Sequence, residues 1–193
     1  MRCLCNEGGR EFGMIKPLFT ATERFDPSDG ERWDNYVRWA NIPKLVEVVS
    51  LDGILCPRIR PEIVDEDWQH NVHEDYRLSY FYDLDYVIHR SASAVRKNIL
   101  GLFRNPETHI AEAPGSSSFA FVGYDLIEEA TQISALTNCG GFPETFSNEE
   151  LNQHGLIAGF SRADEIRRLL RIHNPAEQHA NCEMYAMWRM QEG

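Results

Sequence analysis

No stretch of about 18 apolar residues occurs anywhere in the 193-residue chain, so a single helix has nothing to cross a bilayer with. The opening Met1-Arg2-Cys3-Leu4-Cys5 runs straight into polar residues and glycines. It lacks the apolar segment of a secretion signal, and a cytoplasmic location is expected. Cysteine is sparse and odd in number: Cys3, Cys5, Cys56, Cys139 and Cys182, with no C-x-x-C among them. That excludes an obvious disulfide framework and a four-thiolate zinc site, and fits reduced thiols. Cys56 and Cys182 stand among apolar neighbours and read as small buried hydrophobes. Lysine is rare, three against sixteen arginines, which reads as a coding bias. Internal repeats and low-complexity tracts are missing, and no motif names a chemistry.

What the chain has in excess is negative charge. Its formal net charge is −11, from 19 basic and 30 acidic side chains, while 42% of residues are hydrophobic, enough for a real core. The excess is uneven. Residues 1 to 60 balance, with nine of each sign, whereas residues 61 to 130 hold 13 acids against five bases. A field of this sign repels phosphate backbones, so nucleic acid is not an expected ligand, and it attracts a basic protein surface or a cation.

Periodicity supplies most of the predicted elements. Residues 1 to 25, with Gly8, Gly9 and Gly13, suggest an arm. Ser28 and Glu31 have capping-box spacing, and Trp33, Tyr36, Val37 and Ala40 form a helical stripe ended by Pro43. Asp52-Gly53 between apolar runs predicts a hairpin over 45–56. Alternation from Leu78 through Tyr80, Tyr82, Leu84 and Tyr86 to Ile88 predicts a strand over 78–88, with a helix from Asp83 as the competing reading. Val95, Ile99, Leu102 and Phe103 suggest a helix, and further strands are expected near 118–124 and 132–137. Pro114 to Ser118 is the most linker-like stretch. From 147 to 193 the pattern reads as helical: a capping box at Ser147 and Glu150, a helix from Ser161, and a last helix after Asn174-Pro175 running to about Met190. Strands followed by a helical third indicate a single α+β domain with an antiparallel or mixed sheet.

The strongest functional signal is the middle third. Asp65, Glu66, Asp67, Asp75, Asp83 and Asp85 interleave with Trp68, Tyr76, Tyr80, Tyr82 and Tyr86. Aromatics supply contact area and carboxylates steer, so this stretch suits docking of a basic protein. A non-catalytic binding protein, resembling an antitoxin or immunity-type inhibitor in charge and size alone, is the leading expectation. The alternatives are chemical. Asn138-Cys139-Gly140-Gly141 places a thiol before two glycines, and His154, His173 or His179 are potential bases for a cysteine hydrolase. His70 and His73 lie among acids and are the candidate metal ligands. His179 and Glu183, four apart on the expected last helix, read as a structural pair. Neither cofactor nor metal is expected on balance, and oligomeric state is not legible.

Overall fold

A computed structural model describes residues 16–59, 80–115, 118–139, 142–173 and 175–191. Among them four strands form one antiparallel sheet: β1 (Leu18–Glu23), β2 (Lys97–Arg104), β3 (Phe119–Glu128) and β4 (Cys182–Met190), in the spatial order β1-β2-β4-β3. Three α-helices accompany it: α1 (Glu31–Ala40), α2 (Leu84–Arg90) and α3 (Phe160–His173). The expected α+β class is therefore what the chain adopts. Among the described residues no helix is long and apolar enough to cross a membrane.

Helix α1 forms as its stripe predicts, burying Trp33, Tyr36 and Ala40. Its entry is set one step earlier than the Ser28–Glu31 spacing implies. Asp26 caps a short 3-10 turn over Pro27–Asp29, accepting from Ser28 N while Asp29 accepts from Asp26 N, and Gly30 at φ 59° then starts the helix. Asn41 in the left-handed region ends it. The capping box at Ser147 and Glu150 is present, on the 3-10 turn Asn148–Glu150, and α3 buries Ala163, Ile166 and Leu170.

Several expectations are overturned, two of them for one physical reason. The two interior strands are buried on both faces, so their sequences carry no polar–apolar alternation. Of the stripe at Val95, Ile99, Leu102 and Phe103, the last three lie on strand β2, and Val95 precedes it, 96% exposed. The expected final helix to Met190 is strand β4. Met184, Ala186 and Trp188 on one face join the larger core cluster, while Tyr185 and Met187 on the other join the smaller. Only α3 is α-helical in the C-terminal part. The strand expected over 78–88 is replaced from Leu84 by α2, the competing reading. Asp83 accepts from Tyr86 N and so diverts the chain into a helix. Residues 18–23, within the expected arm, form strand β1 and pair with β2.

The region 132–137 contributes one bridge, Ser134 to Ile127, and then turns. The hairpin over 45–56 is also absent. Asp52 Oδ1 accepts from Ile54 N at 2.8 Å and Leu55 N at 2.9 Å, which folds the Asp-Gly step into a capped turn. Both outer strands are flanked by single bridges. Phe81 and Arg58 meet β1 at Phe19 and Thr22, and Ile157 and Ser134 meet β3 at Tyr124 and Ile127. Gly123 sits at φ 142° in a β3 irregularity, where a Cβ would lie 2.6 Å from Leu156 Cβ.

One buried carboxylate ties these irregular segments to the sheet. Asp125 on β3 is fully buried and accepts four hydrogen bonds: Ser50 Oγ at 2.6 Å, Leu51 N at 3.1 Å, Leu126 N at 2.9 Å and Ser134 Oγ at 2.6 Å. Burial pushes this carboxyl up, and the donors oppose the rise. Asp52 adds a second buried junction, its Oδ2 accepting from Ser134 N at 2.9 Å and Asn138 Nδ2 at 3.0 Å. Replacing Asp125 by alanine strands four donors, and the expected loss of unfolding free energy in urea is about 3 kcal/mol or more. Asp83→Ala, which removes only an exposed cap, is expected to cost about 1 kcal/mol.

Candidate functional site

Two places bring chemically capable side chains together among the described residues. The first lies where β3 ends. Glu128 closes that strand, Cys139 follows the turn held by Asp52 and Asn138, and His179 stands on the 3-10 turn Gln178–Asn181 that leads into β4. Cys139 Sγ is 3.5 Å from Glu128 Oε1, 3.4 Å from Ser134 O and 3.6 Å from His179 Nδ1. His179 Nδ1 also contacts Glu128 Oε1 directly. Thr131 Oγ1 donates to Glu128 Oε2 at 2.6 Å, and Phe142 packs edge-on against the imidazole at 4.5 Å between centroids. Burial pushes the Cys139 thiol up to about 12 and holds His179 below its usual value, so both groups are neutral at pH 7.

The expected thiol–histidine proximity is thus present for Cys139 and His179. The arrangement is not that of a relay. One ring nitrogen faces both the thiol and the carboxylate, whereas an activated triad offers the base one nitrogen for each partner. His154 is elsewhere, buried near Arg189, its Nδ1 without a hydrogen bond among the described residues. His173 is exposed at the end of α3. His179 and Glu183 are not a helical pair. Glu183 lies on β4 and accepts from Arg104 Nη2 at 2.7 Å.

The second place is a cleft of about 760 Å³ beside the sheet. Its lining includes Arg24, Lys97, Asn98, Gln153, His154 and Arg189, with Phe121 and Met190 among its apolar members, and among the described residues no carboxylate. Glu47 lies behind the wall and organises it. Its carboxylate accepts from Arg24 Nε at 3.1 Å, Asn98 Nδ2 at 2.9 Å and Arg189 Nη1 at 2.6 Å. The residues arrive from four distant points of the chain: β1's exit, the segment before Val48, β2 and β4. Antiparallel pairing places Leu100 opposite Arg189, which brings Asn98 two residues away to the same end of the sheet. Arg24, Lys97 and Arg189 stand against the buried Glu47 and, 3.9 Å from Arg24, Asp26, which leaves this cleft a small positive balance in a strongly acidic protein.

Of the acidic and aromatic stretch, Asp65, Glu66, Asp67, Trp68, Asp75 and Tyr76, like His70 and His73, lie outside the described residues. Asp83 and Asp85 are exposed at the start of α2, and Tyr82 beside them is 52% exposed. Tyr80 faces inward, fully buried against Tyr185. The glycines after Cys139 are likewise outside the described residues.

Comparison with protein-family models, with curated proteins and with solved structures finds no match for this chain.

Burial works to raise the Glu47 carboxyl. Hydrogen bonds from Asn98 and Arg24, with the charges of Arg189 and Arg24, outweigh it and hold the group below its ordinary 4.5. A carboxyl depressed on folding stabilises the protein above its unfolded value, and that contribution disappears as pH falls through the folded value. Glu47→Gln is therefore expected to cost about 2 kcal/mol at neutral pH, less than a wholly buried pair because both arginines keep some solvent. The difference in melting temperature from the wild type should shrink on titrating from pH 6 downward through 4.5.

Proposed function

We propose that this is a non-catalytic binding protein whose ligand is a small organic anion, held in the cleft of Arg24, Lys97 and Arg189. The observation that carries the reading is the wall itself: two guanidiniums fixed on one buried carboxylate, with a lysine beside them and no acid among the described residues of the lining. Glu47 accepts from Nη1 of Arg189, and the planar fork of that guanidinium carries further N–H groups to meet a carboxylate or phosphate oxygen. Fixing the arginines beforehand removes much of the side-chain entropy that an anion would otherwise have to overcome. Phe121 and Met190 offer apolar surface to the organic part of the ligand, as small-molecule sites commonly do. Burial and the nearby Arg189 charge hold His154 below its usual value, so its ring is a neutral hydrogen-bonding group rather than another cation.

A thiol hydrolase at Cys139 is the poorer reading. The thiol is protonated at neutral pH, and its neighbouring imidazole shares one nitrogen between two partners. Docking of a basic protein on the acidic and aromatic stretch is kept as a second reading, because Tyr82, Asp83 and Asp85 all stand in solvent. It concerns a different surface of opposite sign, and both readings describe a protein that binds without turnover.

Isothermal titration with inorganic phosphate and with citrate at low salt tests the first reading. One site is expected, and Lys97→Gln or Arg189→Gln should weaken it by about tenfold or more, the worth of a charge-assisted hydrogen bond. Neither anion binding the wild type more tightly than the double variant would refute it. For the second reading, a lysine-rich peptide is the probe. Replacing Asp65, Glu66, Asp67, Asp83 and Asp85 by their amides should slow its association and flatten its salt dependence, with thermal stability retained. Unchanged rates and slopes would reduce that stretch to a solvated face.

A further inference from the structure

The cluster at the end of β3 has more lone pairs than protons. Cys139 Sγ, His179 Nδ1, Glu128 Oε1 and the Ser134 carbonyl converge, and the thiol and the imidazole bring one proton each. With the imidazole proton on Nδ1 and donated to Glu128 Oε1, the one thiol proton still has two acceptors, Glu128 Oε1 and the Ser134 carbonyl, and serves one. A cation at the centre would satisfy the sulfur, nitrogen and carboxylate oxygen together, and these three atoms lie within 4.8 Å of one another.

The dimensions discriminate between cations. A tetrahedral zinc ion, with bonds of about 2.3 Å to sulfur and about 2.0 Å to nitrogen and oxygen, places sulfur about 3.5 Å from each of the other two ligands. Cys139 Sγ stands 3.5 Å from Glu128 Oε1 and 3.6 Å from His179 Nδ1. The third edge, between Nδ1 and Oε1, is a direct contact, so holding the ion requires the imidazole to move outward until that edge is about 3.3 Å. A thiolate beside imidazole and carboxylate suits zinc and excludes magnesium or calcium, which take oxygen ligands. The supports of such a site are also in place, with Thr131 holding the free carboxylate oxygen and Phe142 against the ring. Glu129, Ala130, Gln178 and Asn181, sequence neighbours of Glu128 and His179, line a hollow of about 240 Å³.

We infer that Glu128, Cys139 and His179 form a zinc site with three protein ligands, Oε1, Sγ and Nδ1, and an open fourth position. Binding releases the thiol proton to solvent and leaves a thiolate and a carboxylate against the two charges of the ion. The site is independent of the anion cleft, and neither assignment depends on the other.

Titration of the purified chain with cobalt(II), followed by absorbance, reads the site directly. One equivalent should produce a thiolate-to-cobalt charge-transfer band together with the visible bands of a tetrahedral ion, and zinc should displace both. Cys139→Ser should abolish the charge-transfer band, and Glu128→Gln or His179→Gln should each weaken binding by about 100-fold. Should a variant fail to fold, the wild type still decides the matter. Zinc should slow iodoacetamide labelling of Cys139, mapped by peptide mass spectrometry, without changing that of Cys56 or Cys182. No charge-transfer band in the wild type, a band that survives Cys139→Ser, or loss of binding on replacing His70 and His73 instead would overturn the assignment.

Discussion

The carboxylate of Asp125 is the interaction on which the irregular half of the molecule depends. A sheet of four strands organises its own backbone, but the segments around residues 50 and 134 have no ladder to join. Their amides and hydroxyls find their partner in one buried side chain, which accepts from Ser50, Leu51, Leu126 and Ser134. Ser134, so fixed, passes the order along through Asp52 to Asn138, the neighbour of Cys139. The position of the cysteine next to Glu128 thus rests on a chain of buried hydrogen bonds rather than on regular structure. Such networks are demanding, because each unsatisfied member costs more than a satisfied one contributes.

A comparable economy governs charge. The protein is acidic as a whole, yet Glu47 gathers Arg24, Asn98 and Arg189 from three parts of the chain and turns them into a positive hollow. A buried anion with several donors keeps its charge, and its low-dielectric surroundings let that charge hold long side chains in place. Acidic side chains near α2 face solvent meanwhile. Surfaces of opposite sign on one small protein set up local fields of opposite sign.

Helix α1 and helix α3 were legible because each is half exposed, so its buried face repeats at the helical period. Strand β3 was legible as a short apolar run after the Pro114–Ser118 stretch. Strands β2 and β4 were not, because an interior strand covered on both faces has no polar side, and Met184, Ala186 and Met187 suit a helix as well as a strand. Within 78–88 the alternation of apolar residues was real, but the Asp83 cap decided the local conformation. The pairing of Cys139 with a histidine was among the sequence-level possibilities. Glu128 was invisible as its partner, because it lies 51 positions from His179 with helix α3 between them. The wall around Glu47 left no signature at all, since its members are scattered from Arg24 to Arg189 and none belongs to a motif.

The short bridges along the outer strands have a consequence for how this protein meets its neighbours. Open strands at the margin of a sheet offer unpaired amides and carbonyls to any passing chain, and self-association through them is a standing hazard. Here Phe81 and Arg58 occupy the margin at β1, and Ile157 and Ser134 occupy it at β3. Each blocker is one or two residues of irregular chain, too brief to act as a template for another strand. The backbone is thereby withdrawn from recognition at those points, and whatever associates with the sheet region must read side chains instead of adding a strand.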